Sequence, residues 1–119
     1  MSLEDYFSLS EDTGLVIQFK CRGGAFAEEA SRSVWPELLG HVESYGKDVV
    51  LDLSALKFFG STVLDLIATI NKTVHKLDRR VLLAGVSATG REVLEIARFD
   101  QFLDIFETAA DALGTLADG

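Results

Sequence analysis

Two short stretches constrain the fold more than anything else in the chain. DVVLDL (Asp48–Leu53) and RRVLLAGV (Arg79–Val86) are apolar at nearly every central position. Runs this short and this continuously apolar are read as strands covered on both faces, the type found inside a parallel sheet. Between them, Val63, Leu66, Ile67, Ile70, Val74 and Leu77 recur at three- and four-residue spacing. That pattern predicts one helix with a single apolar stripe. Strand, helix, strand in this order requires a crossover connection, and the crossover makes the two strands parallel. The class is α/β.

The flanking segments extend the same plan. In GLVIQFK (Gly14–Lys20), Leu15, Ile17 and Phe19 fall on one side, which reads as a strand. The EDTG cluster before it is a turn, across which Tyr6–Ser10 pairs as a short antiparallel strand. Gly23-Gly24 interrupts the pattern and makes the turn into a helical region, Ala27–Tyr45. Pro36 is tolerated only in a first turn or at a kink, so the firm helix is Pro36–Tyr45. ATGREVLEIARF opens with Thr89 and Glu92 at capping-box spacing, which places a further helix start there. FLDIF is a last short strand and TAADALGTL a closing helix. The expected order is ββαβαβαβα: a mixed, mostly parallel central sheet with flanking helices. It is one domain over 119 residues, with Met1–Leu3 carrying no fold signal.

Most catalytic readings fail on residue chemistry. Apolar residues make up 48%, enough for a core, yet no apolar run approaches the ~20 residues of a membrane span. The N-terminus lacks the basic-then-apolar pattern of a signal peptide. Cys21, the only cysteine, cannot form an internal disulfide; it reads as a buried, inert thiol and fits a reducing cytoplasm. A net charge of −8 argues against nucleic acid, where affinity comes from basic groups on phosphates. His41 and His75 belong to no metal-ligand spacing. CRGGAF lacks the Lys-Ser/Thr ending of a phosphate-cradling loop, and FGSTVL lacks the second glycine of a nucleophile elbow. VVLDLSAL is like the phosphoacceptor strand of a receiver domain, but that chemistry needs an acidic pair after the first strand for Mg²⁺. KCRGG there is basic. Asp52 is therefore expected to be structural or to meet a partner. No catalysis, cofactor or metal is expected.

What remains is the Gly-Ser-Thr triplet in LKFFGSTVLDLI. By local logic Gly60 turns the chain, Ser61 is a polar loop residue, and Thr62 caps the next helix with Asp65 three residues on. Phe58 and Phe59 are core anchors, or interface candidates where one is exposed.

The stretch VVLDLSALKFFGSTVLDLI resembles the signature of the STAS domain family, shared by sulfate transporters and anti-sigma factor antagonists. There a "vvlDls" strand leads through "v.fiDSsGl" into the second helix. The likeness continues through KLDRRVLLAGVSATGREVLEIARFDQFLDIFETAADAL, and more loosely back over VIQFKCRGGAF. It implies the STAS fold and a non-enzymatic, cytoplasmic regulator resembling an anti-sigma factor antagonist. Its partner would be an anti-sigma factor that doubles as a serine kinase. The matching phosphoacceptor is Ser61, with Thr62 beside it, and the partner surface comprises Phe58, Phe59, Gly60, Ser61, Thr62, Asp52 and Asp65. The chain departs from the motif at two positions: Gly60 replaces the aspartate before the hydroxyl pair, and Val63 replaces the glycine after it. The alternative is a phosphate-independent STAS scaffold in a signalling or transporter-associated complex.

Overall fold

The computed structural model describes residues 2–21 and 26–118. One five-stranded sheet runs in the order β1-β2-β3-β4-β5, with β1 (Phe7–Glu11), β2 (Leu15–Phe19), β3 (Val49–Asp52), β4 (Val81–Ala84) and β5 (Asp104–Phe106). β1 is antiparallel to β2, with Phe7 opposite Phe19. The remaining pairs are parallel: Leu15 lies opposite Val49, Val49 opposite Val81, and Leu82 opposite Asp104. Five α-helices among the described residues connect or close the sheet: α1 (Glu28–Ser31), α2 (Trp35–Tyr45), α3 (Ser61–His75), α4 (Ala88–Ile96) and α5 (Ala109–Asp118). The α/β class and the mixed, mostly parallel sheet are as expected from the sequence. The turn expected at Gly23-Gly24 lies outside the described residues.

Alternation along the strands divides the core into two faces. Leu15, Ile17 and Phe19 of β2, Val49 and Leu51 of β3, and Val81 and Leu83 of β4 pack with Leu38 and Val42 of α2 and with the stripe of α3. Val50, Leu82 and Ala84 point the other way, against Ala112 of α5. This two-sided cover is why β3 and β4 are apolar at successive positions rather than at every second one. At the β1 end, the rings of Phe7, Phe19 and Phe26 interlock, with Phe7 and Phe19 edge-on at 5.2 Å between centroids.

Four local expectations need correction. The α4 cap is Ser87, two residues before Thr89: its Oγ accepts from Gly90 N–H at 3.0 Å. Thr89 lies inside the helix and exposed, so the box with Glu92 does not form. Leu77 is 38% exposed, because α3 stops at His75 and Asp78 turns the chain in the left-handed region, φ 57°. The segment before α2 is a separate short helix, α1, joined by a 3-10 turn over Arg32–Val34. Leu3 is buried in the core on a 3-10 turn over Leu3–Asp5, although the first residues carry no fold signal in the sequence. Pro36 sits in the first turn of α2, where its missing N–H costs nothing.

Candidate functional site

The loop from Leu53 to Gly60 leaves the carboxyl end of β3 and delivers the Gly-Ser-Thr triplet to α3. It is held at several points. Asp52 Oδ1 accepts from Ser54 N–H at 3.0 Å, and Leu53 N–H donates to Ala84 C=O at 2.9 Å. Ser87 Oγ donates to Lys57 C=O at 2.6 Å, tying the loop to the first turn of α4. Phe59 is 5% exposed; its ring lies so close to Gly90 that a Cβ there would meet Phe59 Cε2 at 2.7 Å. Gly85 has φ 68°, and a Cβ on it would come within 2.8 Å of Ser54 Cβ. Both the backbone conformation and the space thus demand glycine at 85. We expect Gly85→Ala to destabilise the fold by roughly 1–3 kcal/mol, checked by urea unfolding.

The start of α3 is capped from elsewhere in the chain. Gly60 is the N-cap and offers no side chain. Instead the carboxylate of Glu28, on α1, accepts from Gly60 N–H at 3.0 and 3.2 Å and from Val63 N–H at 3.1 Å. These are groups that an α-helix leaves unsatisfied at its N-terminus, and a carboxylate is favoured there by the helix dipole. Thr62 is therefore not the cap. It lies inside α3, 7% exposed, and its hydroxyl donates to Glu29 Oε1 at 2.8 Å. Asp65 forms no box with it; Asp65 Oδ2 pairs with Arg32 Nη2 at 3.2 Å. Arg32 also pairs with Glu29 at 3.1 Å and lies over the Trp35 ring, 4.7 Å from its centroid. The Asp65 hydrogen bond, foremost, pushes the Arg32 pKa up. Both pairs are solvent-exposed and hold geometry more than they add stability.

The sequence-derived site residues thus separate into two sets. Phe59 and Thr62 are buried, Asp52 is engaged with its own loop, and Gly60 is a backbone donor. Phe58, 60% exposed, and Ser61, exposed as the first residue of α3, face solvent; Asp65 is exposed one turn further on. The Ser61 hydroxyl makes no hydrogen bond among the described residues, in contrast to Thr62. Glu28 and Glu29, which shape this surface, carry no local signal: they are two acids opening a four-residue helix, and only the fold brings them to Gly60. Away from the site, Cys21 is half-buried rather than buried as expected, and burial raises the pKa of its thiol. No group of three or more His, Cys, Asp or Glu side chains gathers among the described residues in a way that would hold a metal. No helix among the described residues is long and apolar enough to cross a membrane.

The loop thus presents an exposed aromatic ring, Phe58, and an exposed hydroxyl, Ser61, at a helix start. The sequence model of the STAS domain matches residues 13–112, and the chain belongs to that family. Among solved structures it is similar to an anti-sigma-factor antagonist (STAS) domain protein from Planctomyces limnophilus. That likeness has a TM-score of 0.83 at 22% identity, covering 93% of this chain and 97% of that one. It is also similar to RsbS of Moorella thermoacetica, with TM-score 0.76 and 19% identity over 95% and 98% of the two chains. SpoIIAA, the Bacillus cell fate determinant, in its unphosphorylated form gives 0.75 and 15% over 95% and 97%. Identities this low carry the fold. No curated protein matches the chain by sequence.

Proposed function

We propose that this chain is a non-enzymatic, cytoplasmic partner-switching regulator of the anti-sigma factor antagonist type. It docks a protein partner, an anti-sigma factor with serine kinase activity, through the loop around Phe58 and the exposed start of α3, and Ser61 is the phosphoacceptor. The observation that carries the reading is the Ser61 hydroxyl, exposed and unengaged beside the exposed Phe58 on a loop fixed by its neighbours. Thr62 is a poor acceptor by comparison, being buried and bonded to Glu29. Solved neighbours described as anti-sigma factor antagonists support the same class.

The chemistry of the switch follows from what already occupies the helix start. A phosphate adds about −1.5 to −2 charges near neutral pH. Glu28 holds the N–H groups of Gly60 and Val63, so a phosphate on Ser61 finds those donors taken and projects toward the partner. It acts on binding, through repulsion and desolvation, while the fold persists. Ser61→Asp is expected to weaken partner binding at least tenfold and to shift Tm by only a few degrees; a large fall in Tm would count against this mode of switching.

The direct test is the intact mass, with site mapping, of the protein purified from its native host beside a Ser61→Ala version. One added phosphate at Ser61, absent from the variant, supports the switch. No phosphate under any growth condition, with a partner still co-purifying, would replace it with a constitutive scaffold.

A further inference from the structure

The other end of α3 has a different character. Lys72, Lys76, Arg79 and Arg80 fall within nine residues that contain one acid, Asp78, in a chain of net charge −8. Among the described residues none of these four cations is in an ion pair; the pairs present use Arg32 and Lys47. A helix C-terminus favours basic side chains, which accounts for Lys72 and His75 in the last turns of α3. It does not account for Arg79 and Arg80, which lie beyond the helix. Their backbone is held firmly: Arg79 N–H donates to Val74 C=O at 2.9 Å, and Arg80 N–H to Asp48 Oδ1 at 2.8 Å. Arg80 C=O in turn accepts from Val49 N–H at 2.9 Å.

These two arginines line a cleft of about 210 Å³ with Asn71, His75, Phe102 and Asp104, at the amino ends of β4 and β5. Its apolar wall includes Phe102, which is 57% exposed yet packed on Phe99 at 5.3 Å between centroids. The ring is thus positioned and left uncovered.

We propose that this cleft is a second docking surface, and that its occupant is an acidic segment of a partner protein that inserts one large apolar side chain beside Phe102. Three observations choose that occupant. Unpaired guanidinium groups on a fixed backbone complement carboxylates, and an arginine fork binds them in two-pronged fashion. The volume falls below the ~300–1,000 Å³ of small-molecule sites and suits a single anchoring side chain. The concave shape fits a segment bearing a side chain better than a flat anionic membrane surface. The 15 residues of α3 place this surface about 20 Å from Ser61, so the two can be occupied together. The chain would then join one partner to another, with only the Ser61 end subject to modification.

The test is selection of a random dodecapeptide phage library on the immobilised full chain. Binding of the enriched peptides is then measured by fluorescence anisotropy to the wild type, to an Arg79→Glu/Arg80→Glu variant and to Phe102→Ala. The substituted side chains are on the surface, and unchanged thermal unfolding confirms that the variants are folded. The expected result is enrichment of peptides rich in Asp and Glu around a Leu, Phe or Trp. Their affinity should fall at least tenfold in the charge-reversed variant and severalfold in Phe102→Ala, with amide shifts at Arg80 and Leu103 but none at Ser61. Peptides without acidic bias, or binding indifferent to the charge reversal, would overturn the proposal. So would two rival occupants: phosphatidylglycerol vesicles, or a second copy of the chain seen as a dimer in sedimentation, with either association abolished by the charge reversal while no acidic peptide binds.

Discussion

Phe59→Ala is expected to cost ~3–5 kcal/mol of stability, a fall of roughly 10–20 °C in Tm, whereas Phe58→Ala at the adjacent position should change stability by less than ~0.5 kcal/mol. The contrast follows from one ring of the loop being buried and its neighbour exposed. Phe59 is in the core, on Gly90 at the first turn of α4 and in a cluster shared with α3 and β3. Removing it leaves a cavity beneath the loop that carries the Gly-Ser-Thr triplet. Phe58 is in solvent, and its loss should appear as a tenfold or greater drop in partner affinity with the fold intact. Circular dichroism melts and a binding titration on both variants check the pair. Equal stability losses would mean that the loop does not hold the observed division between anchor and surface.

Glu28→Ala is expected to cost about 1–3 kcal/mol, although Glu28 is only half-buried and lies 32 residues from Gly60. Its carboxylate accepts from Val63 N–H, the third residue of α3 and a usual target of an N-cap side chain. An aspartate at Gly60 would seek the same donor from the position where the STAS motif carries that residue. A Cβ at Gly60 would stand 3.6 Å from one Glu28 oxygen and 3.7 Å from the other. That space admits the side chain but sets two carboxylates against each other. Gly60→Asp alone should therefore stabilise little or not at all. In the Glu28→Ala background the same substitution should recover about 1 kcal/mol. The double-mutant cycle, read by urea unfolding, checks the sign of the coupling. Additive effects would show that Glu28 and position 60 do not share the helix start.

The strands and helices are largely legible in the sequence because their signals are local and periodic. Val49–Leu51 and Val81–Ala84 are apolar throughout, and each is a strand buried on both faces. Val63, Leu66, Ile67, Ile70 and Val74 recur at helical spacing, and all are buried on α3. Helix ends are less legible, since several hydroxyls near each end compete for the same orphan N–H groups. At α4, Thr89 and Glu92 have capping-box spacing, yet Ser87 takes the cap because its Oγ also reaches Lys57 C=O. At α3, Thr62 is a good cap residue in isolation, yet packing turns it inward to Glu29. In both places a contact from a distant segment decides among local options of similar energy.

From its own residues the chain determined a mixed, mostly parallel α/β sheet, and the motif around Ser61 marked the family. Periodicity decides these features because apolar burial acts on every residue of an element and outweighs any single polar choice. Tertiary structure alone decided which ring is an anchor and which is exposed, and which hydroxyl is free. It also decided that Glu28 caps α3 and that Arg79 and Arg80 share a cleft with Phe102. Each of these depends on a pairing between segments far apart in sequence: Glu28 with Gly60, Phe59 with Gly90, Arg80 with Phe102. A hydrogen bond or a ring contact of this kind involves one or two residues and leaves no periodic trace, so it is set only when the sheet brings the segments together.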